Sequence, residues 1–253
     1  MGNGRMGNGR HRPAPPLPRS PAPPLPTYAI ISLMSMQPYV LASQSPRRRE
    51  LLAWLDLPFH AIAADVDETP LAGEPPAALA VRLAGMKARA AAQTTPTAPV
   101  LSADTVVDLE GVSLGKPADA AEAWAMLTAL RGREHAVHTG VALWDARTGA
   151  LRLRRVTTVV AMRAYSDAEI AAYIATGDPF DKAGGYAIQH ASFSPVARLD
   201  RCYANVVGLP LCAILALLAE HGAVVPPTAL ALCRQRLGYP CPGPDWGQAL
   251  QPG

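Results

Sequence analysis

From Tyr39 onward, short runs of apolar and β-branched residues alternate with longer runs of helix-forming residues. The short runs predict strands at residues 39–43, 59–64, 100–109, 135–144 and 151–162. The longer runs predict helices at residues 46–56, 75–92, 119–130, 167–175, 210–220 and 228–237. A turn around residues 145–149 joins the last two strands into a hairpin. Strands that alternate with helices, with one hairpin added, predict an α/β protein with a mixed sheet and flanking helices.

Composition predicts where the globular part of the chain begins. Residues 1–37 contain MGNGR twice in succession and then a segment dense in proline, and such a composition buries too little apolar surface to fold. We therefore expect a disordered extension at 1–37, one domain at 38–222 and a C-terminal extension of unknown role at 223–253. With 253 residues, 49% of them hydrophobic, the chain is long enough to bury a core.

Charge and hydropathy argue against two classes of partner. The net charge is only +3, and part of the excess comes from arginines in the N-terminal extension, so we do not expect nucleic acid as a partner. The stretch closest to a membrane span, residues 206–219, is broken by Gly208 and Pro210 and is shorter than the roughly 18 apolar residues that cross a bilayer. We expect a cytoplasmic protein with no membrane partner.

The cysteines give no sign of a metal or redox motif. They lie late in the chain, without a Cys-x-x-Cys pair or a nearby histidine cluster, at Cys202, Cys212, Cys233 and Cys241. Zinc sites and redox motifs use closer spacings than these. We expect reduced, mostly buried thiols, which suit a cytoplasm.

The first segment that carries chemistry runs from Ser43 to Arg49. It supplies two hydroxyls and three guanidiniums where a strand turns into a helix, and Pro46 suits the first turn of that helix. The start of a helix has unpaired N–H groups, so arginines beside it complete a site for an anion. Three arginines alone would more often form a solvated helix face, but the serines ahead of them favour the anion site.

A carboxylate and a lysine follow from adjacent turns. Asp104 comes after an apolar lead-in, and Lys116 lies in Gly115-Lys116-Pro117. A lone aspartate is most often a turn or cap residue, but a carboxylate between apolar strand neighbours is costly to bury unpaired. An acid and a lysine near an anion site indicate an enzyme that cleaves phosphates, and so a nucleotide-handling enzyme.

One other phosphate-binding motif can be excluded. Residues 111–117 read Gly-Val-Ser-Leu-Gly-Lys-Pro, whereas a P-loop has four residues between its glycines and Ser or Thr after the lysine. Pro117 also lacks the N–H that a following helix would offer to phosphate.

A series of motifs in fixed order extends the argument over residues 39–218. They are Leu41-Ala42-Ser43-x-Ser45-Pro46-Arg47-Arg48, Asp67-Glu68, Lys87-Ala88, Ala103-Asp104-Thr105-Val106-Val107, Gly115-Lys116-Pro117, His135-x-Val137-x-Thr139-Gly140, Asp181-Lys182-Ala183-Gly184-x-Tyr186-x-Ile188-Gln189 and Asn205-Val206-Val207-Gly208-Leu209-Pro210. This series resembles the Maf-type nucleoside triphosphate pyrophosphatases. The resemblance implies a mixed sheet bent around a cleft between two lobes, and hydrolysis between the α and β phosphates to give the monophosphate and pyrophosphate.

The resemblance also implies roles for individual residues. Asp104 would be the general base, and Glu68 with Asp104 would hold a divalent cation, Mg²⁺ or Mn²⁺, because hard oxygen ligands suit these ions. The triphosphate would be held by Ser43, Arg48, Lys87 and Lys116. Lys87 lies on an alanine-rich helix, where a solvent-facing lysine would be ordinary.

Three further positions are tied to the choice of base in the family: Arg47, Thr105 and Gln189. An amide donates and accepts side by side, so Gln189 suits the O4/N3 edge of uracil or thymine. The branch that prefers 7-methylguanosine triphosphate has an acidic residue there. We therefore expect dTTP and UTP as substrates, with modified pyrimidine nucleotides as further ones. His190 stands where the family usually has glycine, either as a substrate contact or as a tolerated loop residue.

A second hypothesis belongs to another class. Members of this family have been associated with arrest of septum formation and cell division, so the chain could be a non-catalytic nucleotide- or nucleic-acid-binding regulator. The presence of Asp104, Glu68 and Lys116 together argues against it, since a pure binder has no use for a base beside a phosphate site. Homodimers are common in such families, and the sequence identifies no interface for one.

Overall fold

The computed structural model describes residues 37–224, 228–239, 241 and 248–250. The extension predicted at 1–37 lies outside the described residues apart from its last residue. Within the described residues the strands are β1 (Tyr39–Ala42), β2 (Phe59–Ile62), β3 (Val100–Leu109), β4 (Val112–Leu114), β5 (Glu134–Asp145), β6 (Ala150–Met162), β7 (Val196–Leu199) and β8 (Gln248–Leu250). The α-helices there are α1 (Pro46–Ala53), α2 (Pro76–Thr94), α3 (Ala120–Leu130), α4 (Asp167–Ala175), α5 (Tyr203–Val207), α6 (Leu211–Glu220) and α7 (Ala229–Leu237).

Each predicted strand and helix forms, with ends close to those expected. β3 and α4 have the predicted bounds, and Ser166 caps α4 in a capping box with Glu169. α1 stops at Ala53, earlier than predicted, because Asp56 adopts a φ of 54° that turns the chain toward β2. The short elements β4, β7, β8 and α5 were not predicted from the sequence pattern.

The strands form one mixed sheet, which confirms the predicted fold class. Its order is β2-β1-β3-β5-β6-β7, with β4 beside β3 and β8 beside β6. β1 is parallel to both β2 and β3. The pairs from β3 through β5 and β6 to β7 are antiparallel. Among the described residues, no helix is both long and apolar enough to span a bilayer.

Helix α2 covers one face of the sheet at very close range. Its small residues, including Ala84 and Ala88, pack on Val40 and Val100. The closest approach is at Gly140 of β5, where a Cβ would lie 2.3 Å from the carbonyl oxygen of Ala80. Glycine at this position therefore sets how near α2 lies to the strands.

The opposite face carries two apolar clusters, because alternate β3 residues point to it in turn. Leu101 and Ala103 pack with α1, α5 and α6. Val107 and Leu109 pack with α3 and α4. Thr105 lies between these pairs on β3, so a polar residue separates the two clusters.

The cysteines match the expectation of buried, reduced thiols. Cys202, Cys212 and Cys233 are buried, and none of the four cysteines is in a disulfide. Cys202 and Cys233 belong to the same apolar cluster. The C-terminal helix α7 therefore packs on the domain partly through a thiol.

We expect Gly140→Ala to lower the free energy of unfolding by about 1 to 3 kcal/mol or more, because the new methyl group has to displace backbone atoms of α2. Urea denaturation measures this change. Gly115→Ala is the matched control: nothing lies within 4 Å of the added Cβ, so its effect should stay within about 0.5 kcal/mol. Equal effects from both substitutions would contradict the close-contact argument.

Candidate active site

A cleft of about 920 Å³ opens at the end of β1 and beside the middle of β3. Its lining includes all of the site residues predicted from the sequence, namely Ser43, Arg47, Arg48, Glu68, Lys87, Asp104, Thr105, Lys116 and Gln189. They come from the turn before α1, the first turn of α1, the loop before α2, α2 itself, β3 and the loops after β4 and α4. The fold thus collects residues that are far apart in sequence along one cavity.

The turn between β1 and α1 forms one wall of the cleft. Ser45 caps α1, with its hydroxyl accepting a hydrogen bond from the N–H of Arg48 at 3.4 Å. The N–H of Ser45 donates to Ser43 Oγ at 3.3 Å. Pro46 occupies the first turn, as predicted. The beginning of α1 therefore faces the cavity with its hydroxyls fixed by local hydrogen bonds.

The guanidinium of Arg48 is held by three oxygens. Nε donates to the carbonyl of Gly208 at 2.9 Å, Nη2 donates to Thr105 Oγ1 at 3.1 Å, and Nη1 donates to Ser43 Oγ at 3.4 Å. Burial lowers the pKa of Arg48, and the nearby charge of Asp104 opposes that effect. A guanidinium offers five N–H donors, so this arrangement fixes its plane through three of them.

A buried chain of hydrogen-bonded polar groups holds the hydroxyl of Thr105 in place. Thr139 Oγ1 donates to the carbonyl of Asn205 at 3.1 Å, so the hydroxyl of Thr105 donates to Thr139 across 3.0 Å. Asn205 is fully buried, and its Nδ2 donates to the carbonyl of Val137 at 2.9 Å and to Thr158 Oγ1 at 3.1 Å. These bonds attach α5 to β5 and β6, and they orient Thr105 to accept from Arg48.

Lys87 lies between the two predicted acidic residues. Its Nζ is 2.5 Å from Asp104 Oδ1 and 2.6 Å from Glu68 Oε1. Lys87 and Asp104 are buried, with 9% and 7% of their surface exposed, so the interpretation of Lys87 as a solvent-facing residue is wrong. The Glu68 side chain stays 55% exposed, because it reaches the pair from a loop at the cleft entrance.

The charges around Glu68 keep it ionised. Burial raises the pKa of Glu68, but the hydrogen bond and charge of Lys87, together with the charges of Lys116 and Arg48, outweigh that effect and bring the pKa below its ordinary value of 4.5. At neutral pH the site therefore presents an anionic oxygen beside a group of cations.

An ion pair also lines the cleft, at its entrance. Arg47 Nη1 lies 3.2 Å from Asp181 Oδ2. Buried Lys182 contacts Asp181 at 2.5 Å and Asp178 at 2.8 Å, and its Nζ also donates to the carbonyl of Asp178 at 2.6 Å. Asp181 therefore pairs with Lys182 and also anchors Arg47.

Two loops deliver Lys116 and Gln189 to the cavity. The N–H of Gly184 donates to the carbonyl of Gly115 at 2.9 Å, which joins the two loops. His190, next to Gln189, instead packs edge-on against Tyr173 with ring centroids 4.7 Å apart. Its Nδ1 accepts from the N–H of Phe193 at 3.1 Å, so His190 is a loop-packing residue rather than a contact in the cleft.

Sequence reasoning assigned no role to several residues that build the site. Thr139 and Asn205 lie within the motifs quoted above, but a buried hydrogen bond to a main-chain carbonyl leaves no periodic pattern to find. His135 also lies within a quoted motif and was assigned no role, and its Nε2 is 2.7 Å from the hydroxyl of Tyr186. Tyr186 is buried and lines the cleft.

Comparisons with known proteins identify relatives of this chain. The sequence model of a family described as "Maf-like protein" matches residues 38–221. The dTTP/UTP pyrophosphatase of Myxococcus xanthus is 52% identical over 187 residues, which are 74% of this chain and 94% of the relative. That of Pelotomaculum thermopropionicum is 46% identical over 187 residues, 74% of this chain and 98% of the relative. Among solved structures, the Staphylococcus aureus Ham1 protein aligns with 51% of this chain and 73% of its own at a TM-score of 0.37 and 17% identity, values too low to carry an argument.

The buried pair of His135 and Tyr186 predicts a pH dependence of stability. Burial lowers the pKa of His135 from 6.5 to about 4, so between these values the unfolded chain binds a proton that the folded chain does not. The free energy of unfolding should therefore fall by up to about 3 kcal/mol as the pH drops through this window. Urea denaturation at pH 7, 5.5 and 4.5 should show this slope, and His135→Gln, which keeps a hydrogen-bonding group without titrating, should flatten it. Parallel curves for the two proteins would refute the assignment.

Proposed function

Because this chain belongs to the Maf family, we propose that it is a nucleoside triphosphate pyrophosphatase that hydrolyses dTTP and UTP to the monophosphate and pyrophosphate. The observation that carries the proposal is the contact of Lys87 with both Asp104 and Glu68 in a cleft that also contains Arg48. The printed names of the Myxococcus and Pelotomaculum relatives support the two substrates. We propose residues 38–222 as the catalytic domain.

The triphosphate is held on the cationic side of the cleft. Arg48 is fixed by protein oxygens on three of its N–H groups, and Ser43 and Lys116 line the same cavity. Cations in a partly buried cleft stabilise the charge that builds on phosphate oxygens during cleavage. A guanidinium in a fixed plane does so without reorganising as the reaction proceeds.

Asp104 is the general base in this proposal. It takes the proton from the water that attacks the triphosphate, and pyrophosphate departs as the α–β anhydride bond breaks. Lys87 holds one carboxylate oxygen of Asp104 at 2.5 Å, and in this proposal the other oxygen accepts the proton. A base that is buried and held in this way stays in place between turnovers.

The carboxylates of Glu68 and Asp104 fit a divalent metal. Both approach one cation, the Lys87 ammonium, and carboxylate oxygens are the ligands that Mg²⁺ and Mn²⁺ prefer. Among the described residues, no group of three or more His, Cys, Asp or Glu could hold a metal by itself. We propose that Glu68 and Asp104 hold the ion while water and substrate oxygens complete its ligands; when bound, it neutralises charge on the phosphates.

We assign recognition of the nucleobase to Gln189, Arg47 and Thr105. Gln189 lines the cleft beside the loop that carries Lys116, and its amide can pair with the O4/N3 edge of uracil or thymine. Arg47 is aimed by Asp181, and Thr105 is oriented by Thr139. Modified pyrimidine nucleotides that keep this edge are proposed as further substrates.

The regulatory alternative is not favoured. A non-catalytic binder would not need Asp104 beside Lys87 and Glu68 in a cleft that also holds Arg48. We also propose that the enzyme works in the cytoplasm, with the nucleotide as its ligand and neither nucleic acid nor membrane as partner. A homodimer stays a prediction from the family resemblance.

We expect Asp104→Asn to reduce pyrophosphate release from dTTP and UTP at least about 100-fold, because the amide cannot accept the proton of the attacking water. The assay uses purified protein with Mg²⁺ or Mn²⁺ and measures initial rates. Asp56→Asn is the control, since Asp56 is exposed and has a positive φ that Asn tolerates. Equal rates for Asp104→Asn and the wild type, or no release by either, would favour the binder.

We expect Gln189→Glu to lower kcat/KM for dTTP and UTP by at least about tenfold, because a carboxylate cannot donate to the O4 oxygen and leaves it unpaired. The measurement is a panel of initial rates that includes 7-methylguanosine triphosphate, for which the relative rate should rise. Gln93→Glu, on the exposed surface of α2, introduces the same charge away from the cleft. An unchanged panel for Gln189→Glu would remove Gln189 from base recognition.

A further inference from the structure

The loop that carries Glu68 has no regular secondary structure of its own. It runs over residues 63–75, between β2 and α2, and we call it the Glu68 loop. Glu68 reaches the site from this loop with more than half of its side chain exposed. Its contact with Lys87 therefore depends on what fixes the loop against the rest of the domain.

Arg82 on α2 fixes that loop on both sides of its tip. Its Nε lies 2.7 Å from Glu74 Oε1, and its Nη2 lies 2.8 Å from Glu74 Oε2, a two-pronged ion pair. The same Nη2 donates to the carbonyl of Thr69 at 3.0 Å. Thr69 directly follows Glu68, so one guanidinium joins the residue beside Glu68 to the end of the loop.

The loop folds back on itself around these contacts. The N–H of Leu71 donates to Glu74 Oε2 at 3.1 Å, and the N–H of Thr69 donates to Asp67 Oδ1 at 2.9 Å. Only 9% of the Glu74 side chain is exposed. The carboxylate of Glu74 thus serves the loop backbone and Arg82 together, which makes this ion pair more than a surface contact.

Arg82 and Lys87 lie on the same helix and act on the same loop. Lys87 contacts the Glu68 carboxylate directly, whereas Arg82 contacts the main chain next to Glu68. Helix α2 is itself pressed onto the sheet at Gly140. We propose that Arg82 is a positioning residue: through Glu74 and Thr69 it places the Glu68 carboxylate where a divalent cation with the nucleotide can bind. This inference rests on the proposed function, whose metal it concerns.

A positioning role differs from a structural one in what it changes. Part of the apolar face of α2, with Leu79, Ala80 and Leu83, packs on Val106 of β3. Arg82 touches this cluster only at its edge, where Nη1 lies 3.2 Å from the sulfur of Met86. Loss of the two-pronged ion pair between Arg82 and Glu74 should therefore loosen the Glu68 loop and leave helix α2 in place. Outer contacts of this kind typically change metal affinity by about 10- to 100-fold when removed.

The test replaces Arg82 by Lys, which keeps the charge but cannot form the fork to Glu74. We expect the Mn²⁺ or Mg²⁺ concentration for half-maximal pyrophosphate release to rise about tenfold or more, while the thermal midpoint shifts by only a few degrees. Backbone hydrogen exchange over residues 63–75 should become faster, with exchange in β3 unchanged. Arg89→Lys is the matched control, because Arg89 is on the same helix but exposed and stacked over Trp144.

Two further measurements keep the proposal separate from the proposed function. Direct titration with Mn²⁺, in the presence of the unreactive product UMP, should show weaker Mn²⁺ binding in Arg82→Lys. The effects of the single variants Arg82→Ala and Glu74→Ala on Mn²⁺ binding should not add in the double variant. Unchanged metal dependence and loop exchange in Arg82→Lys, or the same changes in Arg89→Lys, would overturn the positioning role. A wild-type protein that releases no pyrophosphate would instead overturn the function, while loop exchange and Mn²⁺ binding would still decide the role of Arg82.

Discussion

The contact of the Lys87 ammonium with two carboxylates is the interaction on which the site depends. Burying Asp104 without a partner would be costly, and Lys87 provides that partner from helix α2 at 2.5 Å. One cation and two anions leave a net negative charge at this point, so the pair of carboxylates still attracts a further cation. Lys87 can make this contact only if helix α2 lies at a fixed distance from the sheet.

The opposite wall has the complementary charge. Arg48 donates to neutral oxygens of Gly208, Thr105 and Ser43. In the part of the chain that the structure describes, no carboxylate forms a direct ion pair with Arg48, so its charge stays available to an anion in the cleft. A triphosphate with a bound metal has both signs of charge, and the cleft presents carboxylates on one side and a guanidinium on the other.

The sequence predicted much of this arrangement, for physical reasons that also explain what it missed. Long elements such as β3 and α4 follow strong periodicity, and motif residues such as Asp104 and Arg48 combine charge with an apolar or turn context. The supporting contacts have neither signal. Arg82 with Glu74 looks in sequence like a pair of ordinary surface charges, and Asn205 acts partly through its main-chain carbonyl. The five-residue helix α5 is too short to show a period.

Main-chain proximity, more than side-chain length, determines the geometry of the site. A Cβ on Gly208, whose φ is +115°, would lie 3.3 Å from Thr105 Oγ1 and 3.4 Å from Arg48 Nε. The carbonyl of this glycine accepts the hydrogen bond from Arg48, so the close approach and the anchoring of the guanidinium occur at one residue. Gly140 plays the corresponding part for α2 and Lys87. The position of each charged wall therefore depends on backbone contacts, at Gly140 of β5 for one wall and at Gly208 after α5 for the other. The distance between the two walls is set by the fold itself.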